Sequence, residues 1–274
     1  MIVVETKSEL RKIIDRSKEI SLVMTMGALH EGHIELIKAA KNKAEQVIVS
    51  IFVNPLQFGI NEDYNSYPRK LDADLQICES NGVDIVFAPS VQQMYSDTRQ
   101  ISLKVGALSQ VYEGSIRPGH FDGVCQIVCK MFNLVKPNYA FFGQKDAQQL
   151  AVIRNMVEDL DMSVQICAVP IKRNEKGLAL SSRNAYLSDA GKILALQIYK
   201  SLEGARDNLL WGMEIKQVQE IYSKKLEETK GIDLDYFAIV DPYTFLPANN
   251  SEQKLIICAA KVEGTRLIDN LLVG

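Results

Sequence analysis

The sequence predicts an α/β protein, a parallel sheet with helices on both faces followed by a smaller α+β domain. Two observations carry this. From Ile20 to about Ala168, short apolar runs alternate with stretches of helical apolar spacing, the pattern of strand–helix units whose strands are buried on both faces. After Pro170 that rhythm stops, and two helix-like segments precede three strand-like ones. The expected division is 1–171 for the sheet domain and 172–274 for a smaller lid domain with antiparallel strands.

Taken in order, the apolar runs predict strands over Ile20 to Met26, Gln46 to Val53, Asp84 to Ala88, Tyr139 to Phe142 and Ser163 to Ala168. Helical spacing between them predicts helices over His33 to Lys43, Lys70 to Asn81, Gly123 to Val135 and Ala147 to Leu160. Ile171 to Leu187 is polar and loop-like. Ser188-Asp189 then reads as a helix cap before Ala190 to Leu209, and a second helix is expected over Ile215 to Thr229. Strands Leu234 to Val240, Lys254 to Val262 and Thr265 to Leu271 close the chain, the last pair joined by a turn at Glu263-Gly264.

Composition narrows the function. The 274 residues are 47% hydrophobic, enough for a sizeable core, and the net charge is −3 from 31 basic and 34 acidic side chains. Without a basic block, extended nucleic-acid binding is disfavoured and small-molecule chemistry favoured. No signal-peptide pattern opens the sequence and no apolar run reaches transmembrane length, so a cytoplasmic protein without membrane attachment is expected. Five dispersed cysteines inside apolar patterns suit buried thiols in a reducing compartment.

Sheets of this kind bind ligands beyond the carboxyl ends of their strands. The first such place is Met24 to His33, which holds two of the three histidines. Its strand-to-helix junction is suited to an anion, because the first N–H groups of a helix lack partners and glycines let a ligand approach. Gly27 and Gly32 imitate a phosphate-binding loop, but His33 and Ile34 stand where its lysine and hydroxyl residue belong. His30 and His33 are one residue too close for the H-E-x-x-H zinc helix. An H-x-G-H motif of the nucleotidyl-transferase kind remains, beside a plain capping loop.

Further polar groups follow other strands. Asn54-Pro55-Leu56-Gln57-Phe58-Gly59 offers neutral amides for hydroxyls and carboxylates, or is a simple turn. In Gly143-Gln144-Lys145-Asp146, followed by Gln148 and Gln149, a lysine opens a helix, where an anion would compensate it; Asp146 suits ribose hydroxyls or Mg²⁺. Leu178 to Asn184, with Lys172 and Arg173 before it, reads as a mobile phosphate clamp or a surface loop. His120 with Cys125 and Cys129 suggests metal ligands, but the apolar residues around them favour buried thiols.

Together, Met-Gly-Ala-Leu-His-Glu-Gly-His, Phe-Val-Asn-Pro-Leu-Gln-Phe-Gly, Tyr-Pro-Arg, Arg-Pro-Gly-His-Phe, Phe-Phe-Gly-Gln-Lys-Asp and Leu-Ser-Ser-Arg-Asn closely resemble the pantothenate synthetase (pantoate–β-alanine ligase) family. The resemblance spans nearly the whole chain. It implies a Rossmann-type nucleotidyl-transferase domain, a homodimer, and substrates pantoate, β-alanine and Mg²⁺-bound ATP, joined through pantoyl adenylate with release of AMP and pyrophosphate.

By the same resemblance, His30, His33, Lys145, Ser181 and Arg183 are the catalytic residues. ATP would be bound by Met26, Gly27, Ala28, Leu29, His30, Glu31, Gly32 and His33, by Gly143, Gln144, Lys145 and Asp146, and by Lys172, Leu180, Ser181, Ser182 and Arg183. Gln57 would hold pantoate and β-alanine and Gln149 pantoate, with Asn54, Tyr67, Arg117 and His120 as further substrate contacts. Gln144 and Leu180 depart from the glutamate and methionine common in relatives; the first removes a charge beside Lys145 and the second keeps apolar contact. Rival readings are a nucleotidyltransferase that leaves AMP on its product, a small aminoacyl-tRNA-synthetase relative, and a nucleotide- or metal-binding module without turnover.

Overall fold

The computed structural model describes residues 1–60, 62–248 and 251–274. By internal contacts the chain divides into two compact units, Met1–Gln144 with Val152–Pro170, and Lys145–Ala151 with Ile171–Gly274.

The first unit carries strands β1 (Ile2–Val4), β2 (Ile20–Thr25), β3 (Gln46–Ile51), β4 (Ile85–Phe87), β5 (Tyr139–Gly143) and β6 (Gln165–Val169). Between them lie helices α1 (Lys7–Ile13), α2 (Glu31–Lys43), α3 (Leu71–Ser80), α4 (Val91–Met94), α5 (Tyr112–Ile116), α6 (His120–Val135) and α7 (Ala147–Asp159), whose first turn belongs to the second unit. The strands form one six-stranded sheet in the order β1-β4-β3-β2-β5-β6, all pairs parallel. Strand order therefore reverses at β2, flanked by β3 and β5, and ligands of such sheets bind at that switch point. Val23, Ile37, Val47, Val49, Cys78 and Val86 are fully or nearly fully buried in the core between sheet and helices.

Each expected strand and helix of this unit forms, with ends shifted by a few residues. β1, α1, α4 and α5 were not anticipated. β1 has only three residues, Ile-Val-Val, two of them exposed, too short an apolar run to mark a strand. α1 is announced by a capping box, Thr6 bonding the Glu9 N–H and Glu9 reaching back to Thr6. α6 begins at His120 rather than Gly123, which places the third histidine in its first turn.

In the second unit, α8 (Asp189–Leu210) and α9 (Ile215–Glu227) pack on an antiparallel sheet of β7 (Ile232–Val240), β8 (Lys254–Val262) and β9 (Thr265–Val273), in that order. Ser188 caps α8 and also donates to Glu263 in the β8–β9 turn, where Glu263 and Gly264 both have positive φ, as a tight hairpin requires. Leu202, Leu226, Ile256, Cys258 and Ala260 form the fully buried centre of this unit. Among the described residues, no helix is long and apolar enough to cross a membrane.

Candidate active site

In the first unit the site is built on the turn from β2 to α2. His30 is the N-cap of α2, and its Nδ1 accepts the Gly32 N–H at 3.1 Å. His33 reciprocates, its Nδ1 accepting the His30 N–H at 3.2 Å, so two imidazoles form a capping box normally made by hydroxyl and carboxylate side chains. The rings lie 4.1 Å apart between centroids. Because both Nδ1 atoms accept backbone hydrogens, the ring proton of each sits on Nε2, and each imidazole is set as an Nε2–H donor. Glycine at 32 is required by this arrangement, since a Cβ there would stand 2.8 Å from His30 Cε1.

Several backbone amides of this turn already have acceptors within the protein. The N–H groups of Gly27, Ala28, Leu29, His30, Gly32 and His33 already donate to Thr25 Oγ1, Asp74, Asp74, His33, His30 and the His30 carbonyl respectively. Met26 takes part through its sulfur, which accepts from Gln57 Nε2 at 3.1 Å.

Gln57 ends the 3₁₀ turn Pro55–Gln57 and is 9% exposed. Asn54 caps that turn through Oδ1 and donates from Nδ2 to Gln57 Oε1 at 3.1 Å and to the Gly123 carbonyl at 3.0 Å, while Tyr95 donates to Asn54 Oδ1 at 2.8 Å. The Gln57 amide is thereby fixed at both ends. Gly123 permits this close approach, for a Cβ there would lie 2.1 Å from the Leu56 carbonyl oxygen.

The Gln57 carbonyl accepts from His120 Nδ1 at 2.8 Å, and His120 Nε2 accepts from Arg117 at 3.1 Å. Arg117 also binds Glu62 through Nε at 2.8 Å and an NH2 group at 2.5 Å. Burial raises the Glu62 carboxyl, but the Arg117 bonds and charge outweigh it and hold the group below its ordinary value of 4.5. Tyr67, 8% exposed, packs edge-on to Phe58, with ring centroids 5.9 Å apart. Asn54, Arg117 and His120 thus form one network around Gln57. His120 is committed to it, and Cys125 is buried in the core, its thiol pushed up to about 12 by burial, so these residues are not gathered for a metal. Among the described residues, no group of three or more His, Cys, Asp or Glu side chains is placed to hold a metal ion.

The first unit also contains Gly143, which ends β5; a Cβ there would meet nothing within 4 Å, so packing gives no reason for glycine. Gln144 follows it and begins the 3₁₀ turn that continues into the second unit.

In the second unit, Lys145 Nζ lies 3.8 Å from Asp146 Oδ1, and the Lys145 carbonyl accepts from Asn270 Nδ2 at 2.9 Å. Asp146 is about half exposed, whereas Gln148 is buried and Gln149 partly so. Ser181 caps the 3₁₀ turn Ser182–Tyr186, accepting the Arg183 N–H at 3.3 Å, and the Leu180 N–H donates to the Lys172 carbonyl at 2.9 Å.

Arg173 does not belong to a mobile phosphate clamp. It forks onto Asp269 at 2.6 and 2.8 Å, donates to the Gly177 and Asn270 carbonyls, and lies 3.8 Å from the Tyr199 ring centre. With both terminal nitrogens of its guanidinium engaged and a buried carboxylate to balance, it is a fixed structural group.

Sequence reasoning missed Asp74 and Tyr95. Each acts on a site residue far away in sequence, with no motif to mark it.

The family model described as pantoate-beta-alanine ligase matches residues 2–272. A pantothenate synthetase of Thermosipho africanus is 46% identical over 270 residues, covering 98% of this chain and 97% of its own. One from Acinetobacter baumannii is 48% identical, covering 94% of this chain and 91% of its own. The crystal structure of the Thermus thermophilus pantothenate synthetase matches with a TM-score of 0.95 at 42% identity, covering 99% of each chain. That of a Francisella tularensis pantoate-beta-alanine ligase, described as complexed with beta-gamma ATP and beta-alanine, matches with a TM-score of 0.81 at 34% identity, covering 99% of this chain and 97% of its own.

Proposed function

The chain belongs to the pantoate–β-alanine ligase family, and from that premise we propose how its residues carry out the ATP-dependent condensation of pantoate with β-alanine. In the first half-reaction a carboxylate oxygen of pantoate attacks the α-phosphorus of ATP; the bond to the β-phosphate oxygen breaks and pyrophosphate leaves. In the second, the amine of β-alanine attacks the acyl carbon of pantoyl adenylate. The bond from that carbon to the phosphate oxygen breaks, AMP leaves, and the nitrogen gives up a proton.

The reciprocal imidazole cap is the observation that carries this reading. An anion attacking a polyanion needs donors fixed in advance where charge builds up. His30 and His33, held as Nε2–H donors, meet that need at the phosphates, with His33 as proton donor. Met26 to Leu29, Glu31 and Gly32 form the adjoining wall for ATP. Lys145, Ser181 and Arg183 offset phosphate charge, while Gln144, Ser182, Leu180 and the backbone near Lys172 complete nucleotide binding. Gly143, with open space where its side chain would be, suits close approach of a nucleotide.

Gln57 and Gln149 orient pantoate with neutral amides, leaving its carboxylate nucleophilic, and Gln57 also serves β-alanine. Asn54, Arg117 and His120 act by holding Gln57, and Tyr67 by lining the same segment through Phe58. Mg²⁺ accompanies ATP and neutralises phosphate charge; an ion carried on phosphates needs few protein oxygens, and the half-exposed Asp146 carboxylate suits that part. We further propose a cytoplasmic homodimer. All five cysteines are free thiols, which suits a reducing compartment.

The test is ATP–pyrophosphate exchange with Mg²⁺ and without β-alanine. Exchange should require pantoate, and His33→Ala should slow it about 10²- to 10³-fold, the usual loss for one preorganised donor. A His33→Ala protein within about threefold of the parent in this assay removes that imidazole from the mechanism.

A further inference from the structure

The β2–α2 turn is shaped by a residue from another element. Asp74 lies in the first turn of α3 and is 2% exposed. Its two oxygens accept the N–H of Ala28 at 2.9 Å and of Leu29 at 2.7 Å. Ala28 has φ +52, a left-handed conformation that residues with a Cβ seldom adopt, and Gly27 before it has φ +84. A Cβ on Gly27 would stand 2.9 Å from Asp74 Oδ2, so the carboxylate occupies the space beneath the turn that glycine leaves. His30 follows directly, and its backbone and ring make the cap with His33.

From this geometry we infer that Asp74 is a positioning residue of the adenylation step. Two adjacent N–H groups call for an acceptor on each oxygen, which an aspartate supplies and an asparagine does not, because its amide would point N–H at N–H. A leucine would leave both amides buried without acceptors. The buried charge is offset by those two donors and by the N-terminus of α3, which favours negative charge in its first turn. Asp74 touches no reacting atom; it holds Ala28 and Leu29 in the strained turn that delivers His30 to the helix cap.

The inference rests on the assignment of His30 and His33 to adenylation, so Asp74→Asn is assayed beside His33→Ala in the full chain, by pantoate-dependent ATP–pyrophosphate exchange and thermal melting. In a cooperatively folded Asp74→Asn protein, kcat for exchange should fall about 10²-fold, the usual effect of small misplacement at a reacting centre. The KM for pantoate should stay within about threefold, and because a loss of folded protein also lowers the apparent kcat at constant KM, rates are taken per folded molecule from the melting amplitude. Asp74→Ser, which keeps one small acceptor, takes its place should Asp74→Asn fail to fold, with the same split expected. A folded variant with kcat near the parent's while His33→Ala is slow overturns the role of Asp74 alone. Both proteins at the parent's rate overturn it together with the reading of the imidazoles.

Discussion

Each unit ties down an arginine beside a candidate site residue, and the two are held differently. Arg117 in the first unit binds Glu62 and, with His120, the Gln57 carbonyl. Arg173 in the second binds Asp269 and the carbonyl of Asn270, whose side chain holds the Lys145 carbonyl. The device is the same in both, an arginine fork joining a carboxylate to backbone near the functional side chain. The setting differs: Glu62 is in a turn with its side chain 23% exposed, whereas Asp269 is on β9 with its side chain 7% exposed. Burial decides how much rests on each arginine, because an unpaired charge is expensive where water cannot reach it.

The largest expected effect follows from that contrast. Arg173→Ala strands the Asp269 carboxylate inside the second unit and should destabilise the protein by about 3–5 kcal/mol, the usual cost of breaking a buried pair from one side. Arg117→Ala leaves Glu62 able to turn to water, and the loss should be about 1–3 kcal/mol, the worth of hydrogen bonds to a charged group. Urea unfolding of both proteins checks the order. Equal losses would mean that pairing, not burial, governs these sites.

Acid sharpens the comparison from the other side. Glu62 titrates below its ordinary 4.5 because Arg117 outweighs burial, so the Arg117–Glu62 contribution is fully present above pH 4.5 and is lost as pH falls through the lower folded-state value. Comparing the parent with Glu62→Gln in urea at pH 7 and again below pH 4 should show a difference that shrinks in acid. A difference that stays constant would show that the ion pair does not account for the depressed carboxyl.

The same contrast shows what the sequence revealed. Strands, helices and the β2–α2 motif were legible because their signals are local: apolar spacing, glycines, and two histidines three residues apart. Arg173 was misread because Asp269 lies 96 residues away, and a basic residue beside a Ser-Ser-Arg run looks like a phosphate ligand until its partner is seen. Asp74, 46 residues from Ala28, was hidden inside a correctly expected helix, where an acidic first-turn residue needs no special explanation. Arg117 and His120 are expected from the resemblance as substrate contacts, but their service to the Gln57 backbone spans about sixty positions and no spacing rule reports it.

The smallest expected effect concerns the other end of Gln57. Arg117 and His120 hold its backbone, while Tyr95 holds its side chain through Asn54. Tyr95→Phe keeps the aromatic ring, which faces Phe52 at 6.1 Å and Lys130 at 5.8 Å, and removes only the hydroxyl that donates to Asn54. Asn54 retains its bonds to Gln57 and Gly123, so its amide is loosened without being released. One neutral hydrogen bond is worth about 1 kcal/mol, so the KM for pantoate should rise about fivefold, with little change in kcat. A fall in kcat at constant KM would place the Tyr95–Asn54–Gln57 chain with the adenylation chemistry. An unchanged KM and kcat would show that the backbone clamp from Arg117 and His120 fixes Gln57 without help from its side chain.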